Sequence, residues 1–233
     1  MALNSVYDDR PDEYELQRQC WLNHRRAKFI AGKIRQALPD GADVLELGSG
    51  TGWLLRGLGE QFPHLNFWGV EPMESYVKFS RERNRAPNVH YFQGTAETVD
   101  THLRCRPEVV LSNDVLHHVE SLTDTVRSVS RISAPGSLWL AIEPNCNNPY
   151  SFVSQSVKHG ERNFWPGEFR AIAKASCWSI EEQRYLFLIP PFVSSPPEWL
   201  KRLERTLESV PFLGGGVCLE MRLTAKQNQP RQE

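Results

Sequence analysis

The sequence has no apolar run approaching the roughly 18 residues that a membrane-spanning helix requires, which excludes stable insertion into a bilayer as a helix. Its opening residues crowd Asp8, Asp9, Arg10, Asp12 and Glu13 together and lack the basic and then apolar segments of a secretory signal. Cysteine is sparse: Cys20, Cys105, Cys146, Cys177 and Cys218 make five, an odd number, with no Cys-x-x-Cys and no Cys/His pair at metal-ligand spacing. A disulfide framework and a metal centre are therefore not expected, and the reading is of reduced thiols in a soluble cytoplasmic protein. A charge excess is missing too, since the formal net charge is −1. Nothing draws the chain as a whole to nucleic acid, and contact with it would need a local basic patch.

What is present is a chain of 233 residues with 40% apolar content, enough for one α/β unit with a core on each side of a sheet. Residues 12–38 read as one long amphipathic helix carrying Trp21, Ala27, Phe29, Ile30, Ile34 and Leu38, ended by Pro39-Asp40-Gly41. Strands then alternate with helices: strands at 44–47, 65–71, 89–93, 108–112 and 137–142, helices near 52–62, 73–84 and 121–132. That beat predicts βαβ units and a parallel sheet. After Glu143-Pro144-Asn145 it breaks, and a helix near 166–176, a strand at 179–188, two proline pairs, an apolar stripe from Trp199 to Val210 and a strand at 217–224 complete the chain. The polar end, Gln227–Glu233, reads as a frayed tail.

The chemistry sits at residues 44–52, Val-Leu-Glu-Leu-Gly-Ser-Gly-Thr-Gly, where an apolar strand carrying Glu46 runs into Gly48, Gly50 and Gly52. Glycines there admit unusual dihedrals and close approach of a ligand to bare backbone, with a helix N-terminus facing the same crevice. A dinucleotide site would need another glycine at position 53 for helix and strand to pack, but Trp53 stands there. About twenty residues past Gly52, the second strand ends in Glu71-Pro72, where a carboxylate can accept hydrogen bonds from both ribose hydroxyls.

At this point the chain resembles the class I S-adenosylmethionine-dependent methyltransferases of the small-molecule type. The resemblance rests on residues 46–52, on Glu71, and on two later runs, Val89–Glu97 and Val109–Val119, in the family's order. It implies a Rossmann-like, doubly wound seven-stranded sheet, mostly parallel with an antiparallel last strand and helices on both faces. It also implies S-adenosyl-L-methionine as cofactor and a division of one domain, 1–233, into a helical lid (1–40), a cofactor core (41–145), an acceptor lid with a C-terminal hairpin (146–225) and a tail (226–233). The cofactor contacts so implied are Glu46, Gly48, Ser49, Gly50, Gly52, Glu71, Pro72, Thr95, Ala96 and Asn113. Thr95 departs from the family, which often has an acid there for the adenine amino group.

Methyl transfer from a sulfonium is an in-line displacement, so alignment supplies most of the acceleration, and a base is needed only when the acceptor atom carries a proton. His117 is the candidate base, with Glu143 at the tip of the fifth strand to orient it. Among the aromatics before the first strand, Tyr7, Tyr14 and Trp21, the reading gives Tyr7 a site role and Trp21 a packing one. Tyr7, His118, Asn145, Asn163 and Trp165 are the expected acceptor contacts, with His159 and Phe164 in the same irregular stretch. The function expected is methylation of oxygen, nitrogen or carbon in a small biosynthetic molecule by a monomer or homodimer. The alternatives are an inactive methyltransferase-like binding subunit, or a lipid-linked or protein acceptor.

Overall fold

The structure, a computed structural model, describes residues 10–103, 105–153, 163–208 and 210–224, together with the backbone alone of residues 36 and 37. Seven strands form one sheet: β1 (Asp43–Leu47), β2 (Asn66–Glu71), β3 (Val89–Gln93), β4 (Val109–Asn113), β5 (Leu138–Pro144), β6 (Trp178–Leu186) and β7 (Gly216–Leu223). Their order is β3-β2-β1-β4-β5-β7-β6, and β7 runs antiparallel to both of its neighbours while β1 to β5 pair parallel. Parallel strands must be covered on both faces, and β1, β4 and β5 are accordingly buried along almost their whole length. The order reverses between β1 and β4, and a crevice opens outside the carboxyl ends of the strands at such a switch point.

The helices are α1 (Pro11–Arg18), α2 (Trp21–Ala37), α3 (Trp53–Gln61), α4 (Glu74–Arg83), α5 (Val99–His102), α6 (Leu122–Ile132), α7 (Pro149–Val153), α8 (Pro166–Ala175) and α9 (Glu198–Leu207). Two cores lie on opposite faces of the sheet. On one, Ile30 and Ile34 of α2 and Leu55 and Leu58 of α3 meet Val44, Phe67 and Leu111. On the other, Val126 and Val129 of α6 and Phe169 of α8 meet Leu45, Val110 and Trp139. Ser121 caps α6, its side chain accepting from the Asp124 amide at 3.1 Å.

The single helix expected over 12–38 is two helices. Cys20 takes an extended conformation and breaks them apart. The apolar periodicity belongs to α2 alone; α1 buries no residue completely and is held by polar contacts of its own.

Candidate active site

The loop after β1 departs from ordinary backbone in just the way the glycine pattern predicts. Gly48 and Gly52 have φ of +64° and +74°, and a Cβ at Gly48 would stand 2.4 Å from the Val115 side chain. At Gly52 it would stand 2.5 Å from the Tyr91 hydroxyl, which donates to the Gly52 carbonyl at 3.0 Å. Gly52 therefore keeps its backbone bare for β3, whereas Gly48 and Gly50 line a cleft of about 680 Å³.

Glu71 closes the other side of that cleft. Its Oε2 accepts from the Gly50 amide at 2.9 Å and its Oε1 from the Met73 amide at 3.1 Å, so the acid at the end of β2 is tied to the loop at the end of β1. Burial raises its pKa, and the two amides and Arg18 only partly oppose this. Pro72, Asn113 and His118 lie on the same wall.

Helix α1 lies over the loop. Glu15 accepts from the Thr51 hydroxyl and from Arg56, and Tyr14 meets Tyr76 of α4 edge to face at 5.3 Å. Beneath it, a smaller cavity between α2, β1 and β4 gathers four buried polar atoms that lack a hydrogen-bond partner: Glu46 Oε2, Ser49 Oγ, Asn113 Oδ1 and Arg26 Nε. Burial holds the Glu46 acid up at about 8, against the pull of Arg18 and with a further push from Glu71. Glycine backbone that a side chain would fill, an acid aimed at the loop and unsatisfied acceptors beside it fit an adenosyl group with a cationic amino-acid end.

A second cavity of about 560 Å³ adjoins the cleft and shares Tyr14, Arg18, Tyr76, Asp114 and His118 with it. Its own wall adds Leu22, Ile189, Pro190 and Pro191 and the ring of His117. Glu143, fully buried, holds the turn after β4: Oε1 accepts the amides of Val115 at 3.1 Å and Leu116 at 2.9 Å, and Oε2 meets His117 Nδ1 at 2.7 Å. The carboxylate is placed to accept a proton-bearing Nδ1 of His117.

Several expected residues stand elsewhere. Asn145 is completely buried and its amide donates to the carbonyls of Pro211 at 2.6 Å and Gly214 at 2.7 Å, so it joins two loops and lines neither cavity. Asn163 and Trp165 precede α8 away from both cavities, with Phe164 in the core beneath them and Trp165 half exposed. The Thr95 hydroxyl pairs with that of Thr98 at 3.1 Å, and Ala96 is buried toward α6; neither reaches a cavity wall. Trp21 packs, as expected, its Nε1 donating to Glu204 at 3.3 Å. Tyr7 and His159 lie outside the described residues.

The sequence reading missed Arg18, Arg26 and Asp114. Asp114 has φ of +56° and is held by a forked bond from Arg26, one arm of it 2.9 Å long. Burial raises the Asp114 pKa, but Arg26 and Arg18 outweigh it and the net direction is down. No local spacing announces this pair, because 88 residues separate its members.

Compared with known proteins, residues 22–184 match the family model described as a methyltransferase domain. A malonyl-[acyl-carrier protein] O-methyltransferase of Halalkalibacterium halodurans is 27% identical over 125 residues, 51% of this chain and 45% of the relative. The chain spans less than half the length of the curated relatives it matches. Among solved structures, an S-adenosylmethionine-dependent methyltransferase from Archaeoglobus fulgidus superposes with a TM-score of 0.65 at 13% identity, over 91% of this chain and all (100%) of that one. A geranyl diphosphate methyltransferase, solved with geranyl diphosphate and sinefungin, gives 0.62 at 15% identity, over 87% of this chain and 78% of that one. No described helix is long and apolar enough to cross a membrane. With its seven-stranded order, its glycine loop and a family match over most of its length, the chain belongs to the S-adenosylmethionine-dependent methyltransferases.

Proposed function

We propose that the protein methylates an oxygen, nitrogen or carbon atom of a small molecule lodged in the second cavity, and that His117 takes the proton which that atom gives up. The observation that carries this reading is the fixed His117–Glu143 pair, 2.7 Å apart, on the wall of a cavity adjoining the cofactor cleft. Bound S-adenosylmethionine supplies a methyl group already activated by its sulfonium.

The chain's own residues then have three tasks. The loop at Gly48 and Gly50 and the acid Glu71 hold the adenosyl group; Glu46 and Asn113 face its amino-acid end. Leu22, Ile189 and Pro191 give the acceptor an apolar seat and exclude water from it. Glu143 holds the imidazole of His117 through Nδ1, so that Nε2 can take the proton that the acceptor atom gives up. The similarity to a malonyl-[acyl-carrier protein] O-methyltransferase supports methyl transfer to oxygen among the three acceptor atoms.

The test is His117→Ala. Turnover should fall by about 10²- to 10⁴-fold while affinity for the demethylated cofactor, measured by calorimetry, stays unchanged. Intact turnover in that variant would leave positioning alone as the mechanism and remove His117 from it.

A further inference from the structure

The mouth of the second cavity has an apolar rim. Tyr150 lines the cavity and meets Phe192 edge to face, ring centroids 6.0 Å apart. Phe192 is 73% exposed on the proline-rich turn after β6, and Phe212 is 60% exposed on the turn before β7. That second turn is fastened to the start of α7: the Asn148 side chain donates to the Leu213 carbonyl at 2.8 Å and the Ser151 hydroxyl to the Gly215 carbonyl at 3.0 Å. Phe152 and Val153 of α7, both exposed, therefore belong to the same region. Helix α9 is anchored on its inner side, where Glu204 accepts the Ile189 amide at 3.1 Å, and it leaves Trp199 64% exposed on its outer side.

We propose that this rim seats the protein on the surface of an anionic lipid bilayer, so that the acceptor passes from the membrane into the second cavity. The proposal rests on the reading of that cavity as the acceptor site. Three features carry it. The apolar side chains stand at the tips of separate turns and helix ends and do not line a groove, which suits a fluid interface better than a shaped protein partner. On α9 the exposed acid Glu198 is paired with Lys201 at 2.6 Å, which leaves Arg202 and Arg205 as exposed cations on the helix that carries Trp199, the aromatic-and-cationic mixture that favours an anionic headgroup layer. Finally, Tyr150 lines the cavity and Phe192 packs against it, so the rim borders the proposed acceptor site. A second copy or a permanent partner seated there would seal the acceptor's route, whereas a bilayer covers the rim and also stores apolar molecules. The contact is peripheral, since no described helix is long and apolar enough to span.

The experiment is co-sedimentation of the full chain with vesicles of phosphatidylcholine, alone or mixed with phosphatidylglycerol. The chain should sediment with the mixed vesicles. The variant Phe192→Ser/Trp199→Ser/Phe212→Ser should bind them at least about tenfold more weakly, with its affinity for demethylated cofactor unchanged. Arg202→Glu/Arg205→Glu should weaken binding to the mixed vesicles and leave the neutral ones unaffected. A chain that stays in the supernatant, or a triple variant that sediments like the parent, overturns the proposal. So does self-association seen by light scattering that the triple variant loses without any vesicle binding, which would give the rim to a second copy. If the parent chain fails to bind demethylated cofactor, it is the enzyme reading that falls, whatever the vesicles show.

Discussion

The two cavities adjoin but are made differently. The cleft proposed for the cofactor centres on bare glycine backbone, Gly48 and Gly50, tied to Glu71, and is completed by residues 72–76, Lys78, the turn after β4 and Tyr14 and Arg18 of α1. The second cavity, proposed for the acceptor, is lined from α1 and α2, the turn after β4, the start of α7, the segment after β6 and the start of β7. A site made of backbone tolerates almost no added atom, while one made of side chains has many positions that carry only part of its shape.

The sharpest way to break this comparison is Gly48→Ala. The added carbon would lie 2.4 Å from Val115 at a φ of +64°. Affinity for the demethylated cofactor should drop by about a hundredfold or more, close to 3 kcal/mol, by calorimetry. Wild-type binding in that variant would mean that the bare loop is not what grips the ligand.

The second cavity's wall includes Gly215 and Gly216, just past the turn that Asn145 holds from outside the cavity, and Asn145→Ala removes two donors from the carbonyls of Pro211 and Gly214. Chemical denaturation should show a loss of about 1–3 kcal/mol, with cofactor affinity kept within about twofold. A large loss of cofactor affinity would show that the two sides are not separable.

The smallest expected effect is a pH dependence. The folded state holds the Glu46 acid near 8, above its ordinary 4.5, so the native protein binds more protons than the unfolded chain between those values. The stability associated with Glu46 is thus complete below about pH 4.5 and is lost as pH rises through about 8. Glu46→Gln should flatten that decline, leaving the variant's Tm a few degrees above the parent's at pH 8 and level with it near pH 5. Parallel melting curves across the range would show that Glu46 is ionised throughout.

The same contrast explains what could be read in advance. Gly48, Gly50 and Glu71, which meet at the cleft, were legible as a strand-end turn because bare backbone imposes residue types at short, fixed spacing, and the strands were legible because burial on two faces favours apolar residues along most of their length. The His117–Glu143 pair was within reach because His117 follows β4 and Glu143 stands near the end of β5, its parallel neighbour. Arg26 and Asp114 were not, since their pairing depends on how α2 crosses the sheet. Asn145 misled because a polar residue past a strand end looks alike in sequence whether it meets a ligand or, as here, two carbonyls of a neighbouring turn. The break between α1 and α2 was hidden because residues on both sides of Cys20 favour helix, and only the tertiary position of α1 over the loop separates them.

Tyr14 and Arg18 of α1 stand in the partition between the two cavities and belong to both. Any attempt to redirect the enzyme toward new acceptors through these two positions would alter cofactor retention in the same stroke. Leu22, Ile189 and Pro191 line the second cavity and not the cleft, so on the proposed reading substitutions there would reshape acceptor selectivity and leave the methyl donor's seat as it is.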